Sequence, residues 1–105
     1  MVNQYIDKEV DCYIWKMKET WGEVTEESER YVAHISGSLN TLMYLDMIKY
    51  EQIEKTFEVL YSVPKDMANV KKMFDEGKLD ATFTTINAIR IRENAEKEIR
   101  NILNK

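Results

Sequence analysis

Apolar side chains recur every three to four positions along almost the whole chain, the spacing that gathers them on one face of an α-helix. Ile6, Val10, Tyr13, Ile14 and Met17 form one such stripe and predict a first helix over 3–20. Trp21 and Val24 prolong the stripe, while Gly22 and Thr25 weaken it. Thr25 can cap a second helix, with Glu26 and Glu27 in its electropositive first turn. A kinked helix running on through Gly22 is the competing reading. The second stripe is Tyr31, Val32, Ile35, Leu39, Leu42 and Met43. Ser36-Gly37-Ser38 falls inside it. Glycine in mid-helix costs about 1 kcal/mol relative to alanine, so this run predicts a close crossing by another helix near Gly37.

Residues 45–50 predict a connection, with Asp46 as the cap of a third helix carrying Tyr50, Ile53, Phe57, Leu60 and Tyr61. One unbroken helix over 25–62 is the alternative. Pro64 should end this helix, because the residue before a proline is driven to extended conformations. A short fourth helix would follow, with Met67, Val70, Met73 and Phe74 inward and Gly77 as its left-handed C-cap. Asp80 then caps a final helix to about residue 103.

That last helix is oily on two sides. Leu79, Phe83 and Ile86 share one flank; Ala88, Ile91, Ala95, Ile99 and Ile102 share another, roughly 150° round at 3.6 residues per turn. The expectation is that the first flank enters the bundle and that Ile91, Ala95, Ile99 and Ile102 pair with a second copy. The β-branched run 82–86 keeps a strand open as an alternative there. The fold class is therefore all-α: a compact bundle of four to five helices, one domain over 1–105, dimeric through the C-terminal helix.

The 105 residues suffice for one domain, and 44% apolar with 32% charged residues is a globular composition, which argues against wholesale disorder. No apolar run reaches the roughly 20 residues that span a bilayer, and the first five residues lack the basic and apolar regions of a leader. A cytoplasmic location and no membrane partner are the expectations. Cys12 is alone, which leaves no internal disulfide, and its acidic neighbours Asp7, Glu9 and Asp11 would disfavour a thiolate. The net charge of −4 is uneven: residues 1–60 carry six Lys/Arg against twelve Asp/Glu, residues 61–105 nine against seven. An acidic half repels phosphates, so nucleic acid is disfavoured as a partner.

Candidate chemistry is sparse. His34 has Tyr31 where the Glu-x-x-His of a di-metal bundle would need glutamate. Glu19-Thr20-Trp21-Gly22-Glu23-Val24 resembles the metal-binding helix of all-α nucleotide pyrophosphohydrolases, which implies Mg²⁺ held by carboxylates. The chain departs from that pattern at Thr20, where the first Glu belongs, and at the next helix, where Asp46 stands alone. A hydrolase of this kind would have to use Glu23, Glu26, Glu51 and Glu54. A DNA-binding regulator would have to read with Glu51, Glu54 and Glu58 facing phosphates, or with Arg90, Arg92, Lys97 and Arg100, which Glu93, Glu96 and Glu98 interrupt at salt-bridge spacings.

Trp15 and Tyr44 lie off their helices' apolar stripes, where aromatic residues serve as partner anchors. With Glu26 and Glu27 they make up the expected partner-binding set. The reading that follows is a small non-enzymatic, cofactor-free regulator or inhibitor that binds another protein. It would be of the kind mobile elements encode to block a host nucleic-acid-processing enzyme.

Overall fold

Helices α1 (Asn3–Thr20), α2 (Glu26–Tyr44), α3 (Tyr50–Asp75) and α4 (Ala81–Leu103) follow one another in a computed structural model that describes residues 3–104. Met1 and Val2, within the segment read for a leader, fall outside the described residues. No strand occurs among the described residues. The run 82–86 is helical, and two of its three threonines turn their hydroxyls back along the helix: Thr84 Oγ1 donates to the Asp80 carbonyl (2.7 Å) and Thr85 Oγ1 to that of Ala81 (3.1 Å).

The helix starts follow the capping chemistry. Thr25 Oγ1 accepts from the Ser28 N–H (3.2 Å), and Ser28 Oγ accepts from the Thr25 N–H (2.9 Å), a reciprocal capping box. Asp80 Oδ1 accepts from the Phe83 N–H at 2.8 Å. The start of α3 differs from expectation. Lys49 is its cap residue, and Gln52 Oε1 reaches back to the Lys49 N–H at 2.8 Å. Asp46 instead ends α2. It adopts φ 57°, with its own N–H on the Met43 carbonyl (3.0 Å) and the Met47 N–H on that of Leu42 (2.9 Å). This is a Schellman closure. The same pair of bonds ends α1 at Trp21 (φ 52°) and α3 at Gly77 (φ 75°), so the readings that carried a helix through Gly22 or from 25 to 62 do not hold.

Each helix runs antiparallel to its successor. Lys16 meets Glu27 (3.0 Å) and Ser38 meets Glu9 (3.1 Å) across α1 and α2. Gln52 Nε2 donates to the Ile102 carbonyl (2.7 Å) across α3 and α4, and Asp11 and Asp7 meet Arg92 and Arg100 across α1 and α4. The result is an elongated up-down-up-down bundle, 49 × 27 × 20 Å. Its core is built on Ile6, Val10, Ile14, Met17, Ile35, Leu39, Leu60, Val63, Met67 and Ile99.

Pro64 does not end a helix. It sits inside α3, which continues to Asp75. A proline there removes the N–H that would bond the carbonyl four residues back, that of Leu60. Leu60 is fully buried, so water cannot replace the bond. The replacement comes from α1: the buried Tyr13 hydroxyl donates to the Leu60 carbonyl at 3.2 Å. Burial, and then the nearby Tyr61, pushes the Tyr13 hydroxyl up to about 12, so it stays a donor through the physiological range. Gly22 closes the same neighbourhood. A Cβ there would collide with the Pro64 carbonyl oxygen, and its φ of +89° is itself costly for any other residue.

Two packing expectations are corrected. Gly37 faces open space, with nothing within 4 Å of an added Cβ. It stands half a turn away from the Ile35–Leu39 stripe, so no helix crosses it. The flanks of α4 are also reversed. Ala88, Ala95 and Ile99 are buried in the chain's own core, and Ile91 and Ile102 pack half-buried against it. On the opposite flank Phe83 is 57% exposed, and Leu79 and Ile86 are half-buried. The stripe assigned to a second copy is the inner one, buried against the chain's own helices.

Tyr13→Phe should destabilise the fold by about 1–3 kcal/mol, the cost of an unmet buried carbonyl. In a Pro64→Ala background, which restores a backbone donor to Leu60, the same change should cost less than about 1 kcal/mol by chemical denaturation. Gly37→Ala should raise stability by about 1 kcal/mol in the same assay, since the added methyl meets nothing.

Candidate partner-binding surface

Helix α2 leans on α1 and scarcely touches α3, so the bundle leaves a seam between α2 and α3. Near the α1–α2 turn the seam opens into a cleft of about 320 Å³, lined by Tyr13, Val24, Ser28, Glu29, Val32, Tyr61 and Pro64. On the α3 side Tyr50, Phe57, Tyr61 and Pro64 recur at i, i+7, i+11 and i+14, one lip of the seam. Phe57 and Tyr61 stack with ring centroids 5.7 Å apart. Of the ten large hydrophobic residues exposed among the described residues, five lie along this seam or in the turns beside it: Val24, Leu45, Met47, Tyr50 and Tyr61. Tyr50 and Tyr61, expected in the core stripe of α3, are 62% and 60% exposed. Periodicity missed them because they flank the stripe at Ile53, Leu60 and Val63, and α2 stands too far off to cover them.

The four residues expected to contact a partner are not brought together. Tyr44 is 83% exposed at the C-terminal end of α2, while Glu26 and Glu27 are at its N-terminal end, about 27 Å away at 1.5 Å per residue. Glu27 is held by Lys16 at 3.0 Å, which draws its carboxyl below the usual glutamate range. Trp15 lies on the α1–α4 side. It is 42% exposed, with Lys18 Nζ and the Arg92 guanidinium each 5.0 Å from its ring centroid. Two of the protein's own cations thus flank a ring that stays partly exposed.

The carboxylates considered for Mg²⁺ are likewise dispersed. Glu23 and Glu26 sit in the α1–α2 turn and first turn of α2, beside Gly22, which packs on Pro64. Glu51 and Glu54 begin α3, ten or more residues earlier, which is about 15 Å or more along the helix. Among the described residues no three His, Cys, Asp or Glu side chains group so as to hold a metal, and His34 is exposed on α2. None of the described helices is long and apolar enough to cross a membrane.

One charged cluster is built, and it binds α1 to α4. Arg92 Nε lies 2.8 Å from Asp11 Oδ1 and 3.6 Å from Glu96 Oε1, and Arg100 Nε lies 3.3 Å from Asp7 Oδ2. Burial, and then the Asp11 carboxylate bonded beside it, pushes the Glu96 carboxyl up to about 7 against the opposing pull of Arg92 and Arg100. The Arg90, Arg92, Lys97 and Arg100 set is thus divided: Arg92 and Arg100 tie α4 to α1 instead of facing outward.

No protein-family model, curated protein or solved structure matches this chain, so the reading of the surface rests on its own geometry.

Folded Glu96 holds its proton up to about pH 7, whereas an ordinary glutamate releases it near 4.5. The stability this group contributes is therefore complete below about 4.5 and is lost as pH rises through about 7. Glu96→Gln, which cannot ionise, should gain melting temperature relative to the parent protein between about pH 5 and pH 8. Thermal denaturation of both across that range reads the difference.

Proposed function

We propose that this protein is a small non-enzymatic regulator that acts by binding another protein, and that the α2–α3 seam is the surface it uses. The observation that carries the reading is the aromatic lip of Tyr50, Phe57 and Tyr61 beside an open apolar cleft. Monomeric proteins rarely leave such surface contiguous and uncovered unless something docks there. Tyrosine is a residue of choice for interface anchors because it buries a large ring at little entropic cost and keeps a polar tip.

The balance of −6 over residues 1–60 favours a partner whose surface is basic. A host enzyme that handles nucleic acid is such a partner, and a small acidic bundle lodged on its basic groove would inhibit it by occupation. The Trp15 face is the lesser candidate, since Lys18 and Arg92 already engage the ring. Pairing through Ile91, Ala95, Ile99 and Ile102 is not carried forward, because Ala95 and Ile99 are core residues.

A photo-crosslinking amino acid placed at Tyr61 should capture one protein in stoichiometric yield in cells that express this chain. The same probe at Gly37, exposed on the far side of α2, should capture none. No adduct at position 61, or the same adducts at both positions, would overturn the reading.

A further inference from the structure

We infer that the occupant of the α2–α3 seam is a basic amphipathic α-helix of the partner, lying along α3. This rests on the reading of the seam as a protein-binding surface and names what fills it. The form of the occupant follows from the fold. All four elements are helices whose backbone groups are bonded internally, so no sheet edge is on offer to an extended peptide. Recognition must run through side chains. The α3 lip from Tyr50 to Pro64 spans fourteen residues, about 21 Å of helix, and repeats at helical spacing. A helix of about four turns presents matching anchors at i, i+3, i+4 and i+7.

The sign of the charge follows from what flanks the strip. Glu29 lines the cleft on the α2 side. Glu54 is exposed one turn before Phe57 on the strip's own side of α3. Neither carboxylate has a side-chain hydrogen bond or ion pair among the described residues. Lys49 and Lys55 line the grooves toward α4 instead, which leaves Lys65 as the base nearest the strip. Apolar anchors flanked by Lys or Arg would therefore meet uncovered tyrosine rings and unpaired carboxylates. A second copy of this chain laid face to face would set Glu29 and Glu54 against the same acids.

The test uses two labelled synthetic helical peptides of about 20 residues with the same leucine stripe. One carries lysines beside the stripe and the other glutamates. Fluorescence anisotropy with the protein should show the lysine peptide binding at least about tenfold more tightly, a preference that shrinks as salt is raised. Tyr50→Ser with Tyr61→Ser, at two exposed positions, should weaken that binding at least about tenfold, while Trp15→Ser leaves it unchanged. Glu29→Lys with Glu54→Lys should reverse the charge preference.

Equal binding of both peptides, or binding that survives loss of both tyrosines, overturns the inference. So does self-association in sedimentation experiments that the tyrosine changes abolish, or tyrosine-dependent binding to anionic lipid vesicles without peptide binding. If no peptide binds yet the probe at Tyr61 still captures one protein, the basic helix is refuted and the seam as a binding surface stands. If the probe captures nothing either, both fall.

Discussion

The bond from the Tyr13 hydroxyl to the Leu60 carbonyl is the contact on which the rest of the molecule depends. Pro64 deprives that carbonyl of its helical partner at a site sealed from water, and an unmet buried acceptor costs on the order of a few kcal/mol. Bringing α1 against α3 with a donor at the right height supplies the missing partner and keeps α3 whole. Gly22 completes the arrangement by letting the end of α1 close onto the Pro64 carbonyl without a side chain in between. The proline thus favours the close approach of α1 to α3 at the height of Tyr13 and Leu60.

The seam follows from that docking. With α1 pinned to α3, α2 hangs from the α1–α2 turn and is tied to α1 by Lys16–Glu27 and Ser38–Glu9, while little draws it to α3. Val24, in the turn that Gly22 positions, and Tyr61, three residues before Pro64, end on the two sides of one cleft. A proline and a tyrosine used to close the core therefore leave two other aromatic rings, Tyr50 and Tyr61, outside it. On the far side, α4 is held by a charged network whose members are few and mutually dependent: Arg92 alone touches Asp11, Glu96 and the Trp15 ring. That side is occupied by internal contacts, and the α2–α3 side is not.

Much of the architecture is legible in the order of residues, because helix formation and helix ending are local. The spacing of Ile6, Val10, Ile14 and Met17, the caps at Thr25 and Asp80, and the left-handed Gly77 each depend on neighbours within a turn, and α2 and α4 begin, and α3 ends, where that chemistry directs. Asp46 shows the limit of such reasoning. Aspartate serves equally as an N-cap and as a left-handed residue, and local sequence does not say which bond it will make.

The candidate surface was hardly legible. Trp15 and Tyr44 are uncovered to the extent their positions off the stripe imply, yet one is capped by cations and the other is separated from Glu26 by the length of α2. Tyr50 and Tyr61 read as core because they border a core stripe. The residues by themselves determined that this is an all-helical chain, where its first, second and last helices begin, and that α4 is oily on opposite flanks. Only the tertiary structure decided that Pro64 could stay inside a helix, which flank of α4 turns inward, and which aromatic rings remain outside. Those outcomes depend on a donor or a neighbour supplied from another helix, and a pattern that repeats every 3.6 residues carries no information about what lies across the gap.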